Sequence, residues 1–247
     1  MALIWRKQVG ITRYEVRTHG ATVRLYSNGV FHSQWNPNDP LKGSLWELLL
    51  LPAFFRSRQE LRRVLILGVG GGALIRLLQH FVAPDQIVGV DIDRHHLSIA
   101  QKFFGVREAN LICADARQFV AELAASNSES FDLIVDDLFG HCDGVAERAI
   151  TADLRWSSQL LKLLAPDGLI VSNFGSRQEL LQSGWRAPAM RAHMAGAYSA
   201  DLPGYENSIG IFSRAPLCRS VLTDGAPAQI NPSNPSRRLD ARLRKLR

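Results

Sequence analysis

Two periodicities divide the chain. Over residues 11–35 apolar and polar positions alternate, in YEVRT, ATVRLY and GVFHSQW, as in strands with one face covered. Asn28-Gly29 between the last two segments makes a tight hairpin turn, because both positions tolerate positive φ, and His19-Gly20 turns the first pair. A small antiparallel N-terminal sheet follows from this, broken by NPNDPLKG and by a short buried helix in SLWELLLL that ends near Pro52. From Arg63 the pattern changes. VLILG (64–68), QIVGVD (86–91), NLICAD (110–115), FDLIVDD (131–137) and GLIVSNF (168–174) are near-continuous apolar runs, as in strands covered on both faces. Helical stretches separate them: ALIRLLQHF, RHHLSIAQKFF, ARQFVAELAA and one around 151–164. That alternation predicts an α/β fold with a Rossmann-like, doubly wound, mostly parallel sheet. The expected division is an N-terminal β-sheet domain over 1–42, a Rossmann-like domain over 43–222, and a Pro/Asn-rich linker with a basic tail over 223–247.

Composition narrows the class. The 46% hydrophobic and 21% charged residues describe a soluble globular protein. The richest apolar run, LWELLLLPAFF, carries Glu47 and Pro52 and falls short of the roughly 20 residues of a membrane helix. Three widely separated cysteines fit a reducing compartment, and the first residues lack a secretory pattern, so a cytoplasmic setting is expected. The net charge of +6 is concentrated in RRLDARLRKLR (237–247), which alone carries +5. This reads as a solvated terminus in which Leu239, Leu243 and Leu246, at i, i+4 and i+7, could give a helix one apolar stripe. Nucleic acid is expected as a partner only through that tail, and a membrane not at all.

The candidate chemistry gathers at strand ends. In LILGVGGGALIRLL (65–78), Gly68, Gly70, Gly71 and Gly72 follow the first parallel strand, where such sheets bind ligands and where missing β-carbons admit a close approach. Gly68-x-Gly70-x-x-Ala73 satisfies a dinucleotide fingerprint, and the same loop serves adenosyl-sulfonium cofactors. Asp91 closes the second strand, next to Ile92, where a carboxylate can accept ribose hydroxyls; Asp93 suits the cap of the helix beginning near Arg94. Asp115, beside Ala116 at the end of the third strand, can accept the adenine amino group as well as cap its own helix. A carboxylate there favours an adenosylmethionine-type cofactor over NAD.

Together LYSNGV, VLILGVGGGALIRLL, VGVDID, ADARQFV, FDLIVDD and AYSADLPGYENSIGIFSR resemble the spermidine synthase family over roughly residues 20–215. The resemblance implies a small N-terminal β-sheet domain followed by a Rossmann-like domain, and a homodimer. It assigns the ribose to Asp91, the adenine to Asp115 and Ala116, and the catalytic aspartate, which orients and deprotonates an attacking amine, to Asp136, with Asp137 beside it.

Departures from the family pattern direct the functional expectation. The family loop GGGDGG carries an aspartate for the amine end of decarboxylated adenosylmethionine, and Gly71 stands at that position. Glycine there removes a carboxylate–carboxylate repulsion and is expected to leave free backbone amides, which suits undecarboxylated S-adenosylmethionine. The second acid of the DSSDP-type motif is absent from Asp136-Asp137-Leu138-Phe139-Gly140, and Leu45-Trp46 replaces a tyrosine–histidine pair. Trp46, Glu47 and Tyr205, the last followed by Glu206 and Asn207, are the expected acceptor contacts. His141 and Cys142 in FGHCDG are assigned no role. The leading expectation is therefore a methyltransferase using S-adenosylmethionine on a small-molecule acceptor. The alternatives are an aminopropyltransferase using decarboxylated S-adenosylmethionine and a non-catalytic nucleoside-binding homologue.

Overall fold

Alternation over residues 12–35 produces the sheet it predicts. A computed structural model describes residues 1–126, 130–142 and 145–246, with the side chains at 141, 142, 145 and 146 outside the description. Strands β1 (Ala2–Val9), β2 (Thr12–His19), β3 (Thr22–Ser27) and β4 (Val30–Trp35) pair antiparallel in chain order. Tyr14, Val16, Leu25, Ser27, Ser33 and Trp35 are buried on one face, while Arg17 stacks on Tyr26 and Arg24 covers Phe31 on the other. Strand β1 escaped the pattern because its residues are almost all exposed; pairing with β2 holds it, and no buried face leaves a period to read.

The second sheet is built from β5 (Arg63–Leu67), β6 (Gln86–Asp91), β7 (Asn110–Cys113), β8 (Phe131–Asp136), β11 (Leu164–Phe174), β12 (Gly196–Asp201), β13 (Ser208–Ser213) and β14 (Arg242–Lys245). Its order is β14-β12-β13-β11-β8-β5-β6-β7, parallel from β11 to β7 and antiparallel beyond. A two-stranded hairpin, β9 (Phe139–Cys142) with β10 (Val145–Arg148), follows β8. The helices are α1 (Leu45–Leu50), α2 (Ala73–Phe81), α3 (Arg94–Phe103), α4 (Ala116–Ser126), α5 (Leu154–Lys162), α6 (Arg177–Gln182), α7 (Pro188–Arg191) and α8 (Arg219–Gly225). Val64 and Ile66 face one core with α1, α2, α3 and the N-terminal sheet; Leu65 and Leu67 face another with α4 and α5. The doubly wound architecture is as the sequence predicts. No helix among the described residues is long and apolar enough to cross a membrane.

The chain winds outward from β5 in both directions, so the ends of β5 and β8 flank the point where the strand order reverses. Ligands of such sheets bind in the crevice at that point.

Residues 223–246 correct the expectation of a loose linker and solvated tail. Ile230 and Leu239 are fully buried. Asparagine side chains supply the turn bonds: Asn231 donates to the Thr223 carbonyl at 2.6 Å and Asn234 to that of Ala228 at 2.7 Å. Residues 242–245 then form the edge strand β14 against β12, with Leu243 buried, rather than a helix. Three of the tail's arginines face acids: Arg244 pairs with Asp201, Arg238 with Asp39 at 2.6 Å, and Arg237 with Asp240 at 2.8 Å.

Candidate active site

The glycine loop is fastened from both sheets. Gly68, Gly70 and Gly72 have φ of +92°, +53° and +80°, so the turn needs glycine at all three. Every amide in it is already bonded. Gly68 N donates to Val90 O at 2.9 Å, Val69 N and Gly70 N to Asp91 Oδ2 at 3.0 and 2.9 Å, and Gly72 N to Val69 O at 2.8 Å. Gly71 N donates to Ser33 Oγ of β4 at 2.8 Å. The free amides expected at Gly71 are therefore spent. A β-carbon on Gly71 would lie 2.6 Å from Ser33 Cβ and 2.8 Å from the Phe104 ring, so packing between the two sheets demands glycine here. That removes the inference that its glycine marks a cofactor carboxylate.

Asp91 is buried at the end of β6 and accepts a third backbone bond, from Asp93 N to Oδ1 at 2.8 Å. Burial opposes its charge, but His96 and the amides of Asp93 and Gly70 outweigh this and hold the carboxyl below its usual range. His96 lies 3.7 Å away and reaches Ser27 Oγ at 2.9 Å, while Tyr14 donates to Asp93 at 2.6 Å. Asp93 caps α3 as predicted, accepting from His95 N at 2.7 Å. Oδ2 takes two amides with His96 beside it, whereas Oδ1 takes one and keeps an acceptor position for a hydroxyl.

Asp115 caps α4, accepting from Arg117 N at 2.7 Å, and stays exposed, while Ala116 beside it is buried. Ile92, the residue after Asp91, is 74% exposed, a large apolar side chain turned to solvent at the end of β6.

The acidic pair separates into two environments. Asp136, expected as the catalytic carboxylate, has no exposed surface. Its Oδ2 accepts from Arg148 of β10, from Trp156 Nε1 at 3.0 Å and from Ser172 Oγ at 3.3 Å. Arg148 also bonds the Asn173 carbonyl and covers the Phe174 ring at 5.3 Å. Asp136 therefore anchors the hairpin, and its catalytic assignment is corrected. Asp137, one residue past β8, is partly exposed and accepts from Asn173 Nδ2 at 2.7 Å. Burial, against the pull of Asn173 and with a push from Asp136, raises its pKa to about 6. Its backbone carbonyl lies where a Gly68 β-carbon would be, 2.1 Å away, so the two strand ends meet across the switch point.

Of the expected acceptor contacts, Glu47 is corrected. It is 3% exposed and closes the start of α1, accepting from Lys42 N at 3.0 Å and from Ser44 N and Oγ. The Ser44-x-x-Glu47 spacing is a capping box, a signal present in the sequence and overlooked. Trp46 is half-buried and meets Phe31 edge-on at 5.1 Å. Tyr205 is exposed near the tip of the 202–207 loop, and burial of its hydroxyl together with the Glu47 charge raises its pKa. The side chains of His141 and Cys142 lie outside the described residues. Sequence reasoning missed Ser33, Asn173 and Arg148; only Asn173, a polar residue at a strand tip, carried a visible signal.

The family model for the spermine/spermidine synthase domain matches residues 49–183, more than half of the chain. The chain belongs to the spermine/spermidine synthase domain family. The match covers the glycine loop, Asp91, Asp115, Asp137 and Asn173, and ends before the loop of Tyr205. Polyamine aminopropyltransferase 2 of Caldanaerobacter subterraneus subsp. tengcongensis is 28% identical over 130 residues, 51% of this chain and 42% of that protein. The chain thus aligns with about two-fifths of that relative's length. In fold it is similar to a probable spermidine synthase from Corynebacterium glutamicum, with a TM-score of 0.73 and 16% identity over 99% of this chain and 91% of that one. It is also similar to human methyltransferase-like protein 13 in complex with SAH, with a TM-score of 0.59 and 20% identity over 68% of this chain and 81% of that one. At these identities both structures speak to the fold alone. Family membership and the name of the sequence relative overturn the methyltransferase expectation, whose structural support at Gly71 has also gone.

Proposed function

We propose that this member of the spermine/spermidine synthase domain family is an aminopropyltransferase, acting between decarboxylated S-adenosylmethionine and a polyamine-type amine. When bound, that donor supplies an aminopropyl carbon already activated by a sulfonium. Asp115 and the exposed Ile92 suit an adenine, and the open acceptor position on Asp91 Oδ1 suits a ribose hydroxyl, while the glycine turn holds Asp91 in place through Val69 N and Gly70 N. Trp46 and Tyr205 offer aromatic surface to an acceptor ammonium. The homodimer belongs to the same proposal.

The observation that carries the reading is Asp137. An ammonium has no lone pair, so attack on carbon requires a group that takes its proton. Asp137 has the means: a carboxyl at the switch point, held on one oxygen by Asn173, with a pKa near 6 that leaves it ionised at neutral pH yet more basic than an ordinary aspartate. Asp136 cannot share the role, because its charge is committed to Arg148. The test is to incubate the purified chain with decarboxylated S-adenosylmethionine and putrescine, cadaverine, agmatine or spermidine, and to follow product by mass spectrometry. Aminopropylated product, absent with S-adenosylmethionine as donor, is expected; no product from any of the four amines overturns the reading.

A further inference from the structure

Two asparagines connect the 202–207 loop to the carboxyl at the tip of β8. Asn207 Nδ2 donates to Asn173 Oδ1 at 3.0 Å, and Asn173 Nδ2 donates to Asp137 Oδ1 at 2.7 Å. Asn173 is 1% exposed, so water does not compete for either end of its amide. The donor on one side and the acceptor on the other fix which way the amide points. We propose that Asn207 and Asn173 are positioning residues: Asn207 sets the orientation of the Asn173 amide, which in turn holds the Asp137 carboxyl in place for the attacking amine. This rests on the reading of Asp137 as proton acceptor given above.

The loop that supplies Asn207 is itself fastened. It turns at Gly204, with φ of +87°, and through Tyr205 N to Leu202 O at 3.1 Å. At its base Ser208 Oγ donates to Asp201 Oδ1 at 2.6 Å, and Asp201 is paired with Arg244 of β14 and lies 3.7 Å from Arg177. The edge strand thus clamps the loop, and the loop presents one donor inward and Tyr205 outward.

The chemistry of the amide gives a test that separates positioning from packing. Asn207→Asp keeps the shape but places an acceptor opposite Asn173 Oδ1. The Asn173 amide then turns over, giving its NH2 to residue 207 and its oxygen to Asp137, which loses a donor and faces a lone pair. Asn207→Leu removes the donor without creating that opposition. A positioning role makes the isosteric aspartate the worse variant; a packing role makes leucine the worse one. The other charges acting on Asp137 are the adjacent Asp136, Arg148 on β10 and Asp91 on β6, which these variants leave in place; Asn207→Asp adds a carboxylate of its own, and Asn173→Ala and Asn207→Leu, which add none, are the uncharged comparison.

The experiment is carbon-13 NMR titration of the Asp137 carboxyl, assigned by its loss in Asp137→Asn, in the wild-type chain, Asn207→Asp, Asn207→Leu and Asn173→Ala. The pH profile of aminopropyl transfer is measured alongside. The titration midpoint is expected to rise by about one unit in Asn207→Asp and Asn173→Ala and by less in Asn207→Leu. kcat is expected to fall about tenfold to a hundredfold in the same order, with KM for the donor unchanged. An unchanged midpoint in Asn173→Ala, or Asn207→Leu exceeding Asn207→Asp, overturns the proposal. Midpoint shifts in this order from a chain that transfers no aminopropyl group uphold the control of the carboxyl and overturn the functional reading alone.

Discussion

The hydroxyl of Ser33, on the last strand of the N-terminal sheet, accepts the amide of Gly71 at 2.8 Å in the glycine loop of the other sheet. One residue of the small sheet thereby fixes the backbone of the candidate nucleoside site. Gly71→Ala drives a methyl group into Ser33 and Phe104 and is expected to cost about 1–3 kcal/mol. Ser33→Ala leaves the amide without its acceptor and is expected to cost about 1 kcal/mol or somewhat more. Urea denaturation of both variants measures this, and a Gly71→Ala variant as stable as the wild type contradicts the packing.

Asp136 and Asp137 should respond oppositely to the same change. Asp136→Asn leaves Arg148 buried without its partner and is expected to lower stability by about 3–5 kcal/mol. Asp137→Asn removes only a strained charge; it should fold, bind nucleoside and lose transfer by about a hundredfold or more. Thermal melts and single-turnover assays on the two variants separate them. Equal stability losses would show the pair sharing one role.

Those two residues show where sequence reasoning stops. In a parallel strand covered on both faces the alternation has no polar side, so VDD does not reveal which aspartate turns inward. The deciding partner, Arg148, lies 12 residues on, across a hairpin that no pattern announced. The opposite holds for β5, the glycine turn, β6 and the Asp93 cap, all written in local chemistry and found where expected. The tail was misread because Leu239, Leu243 and Leu246 suit a helix stripe as well as short extended pieces. Only the free edge of β12 decides between them.

The raised pKa of Asp137 fixes the sign of two pH effects. Folding raises it from 3.8 to about 6, so its contribution to stability is fully present below about pH 4 and is lost as pH climbs through 6. Asp137→Asn, which never ionises, should therefore be the more stable protein at pH 7–8, by on the order of 1–3 kcal/mol. The proposed transfer needs the ionised carboxyl, so kcat/KM should fall about tenfold per unit below pH 6, a limb absent from the residual activity of Asp137→Asn.

The C-terminal segment should act on the fold and leave nucleic acid alone. Leu239 is fully buried, and Leu239→Ala is expected to cost about 2–5 kcal/mol by calorimetry. Arg237, Arg238 and Arg244 already face Asp240, Asp39 and Asp201, so titration with RNA at 50 and 200 mM salt is expected to show only weak binding. Tight binding with a steep salt slope would reverse this assignment.

The buried Asp136–Arg148 pair restricts how molecules can reach and leave the crevice. Swinging Arg148 outward strands a carboxylate that already has one oxygen without a hydrogen-bond partner among the described residues. At about 3–5 kcal/mol, such an excursion occupies the protein well under one per cent of the time. That flank of the crevice is thus bolted shut, and amide exchange should be slow at Arg148.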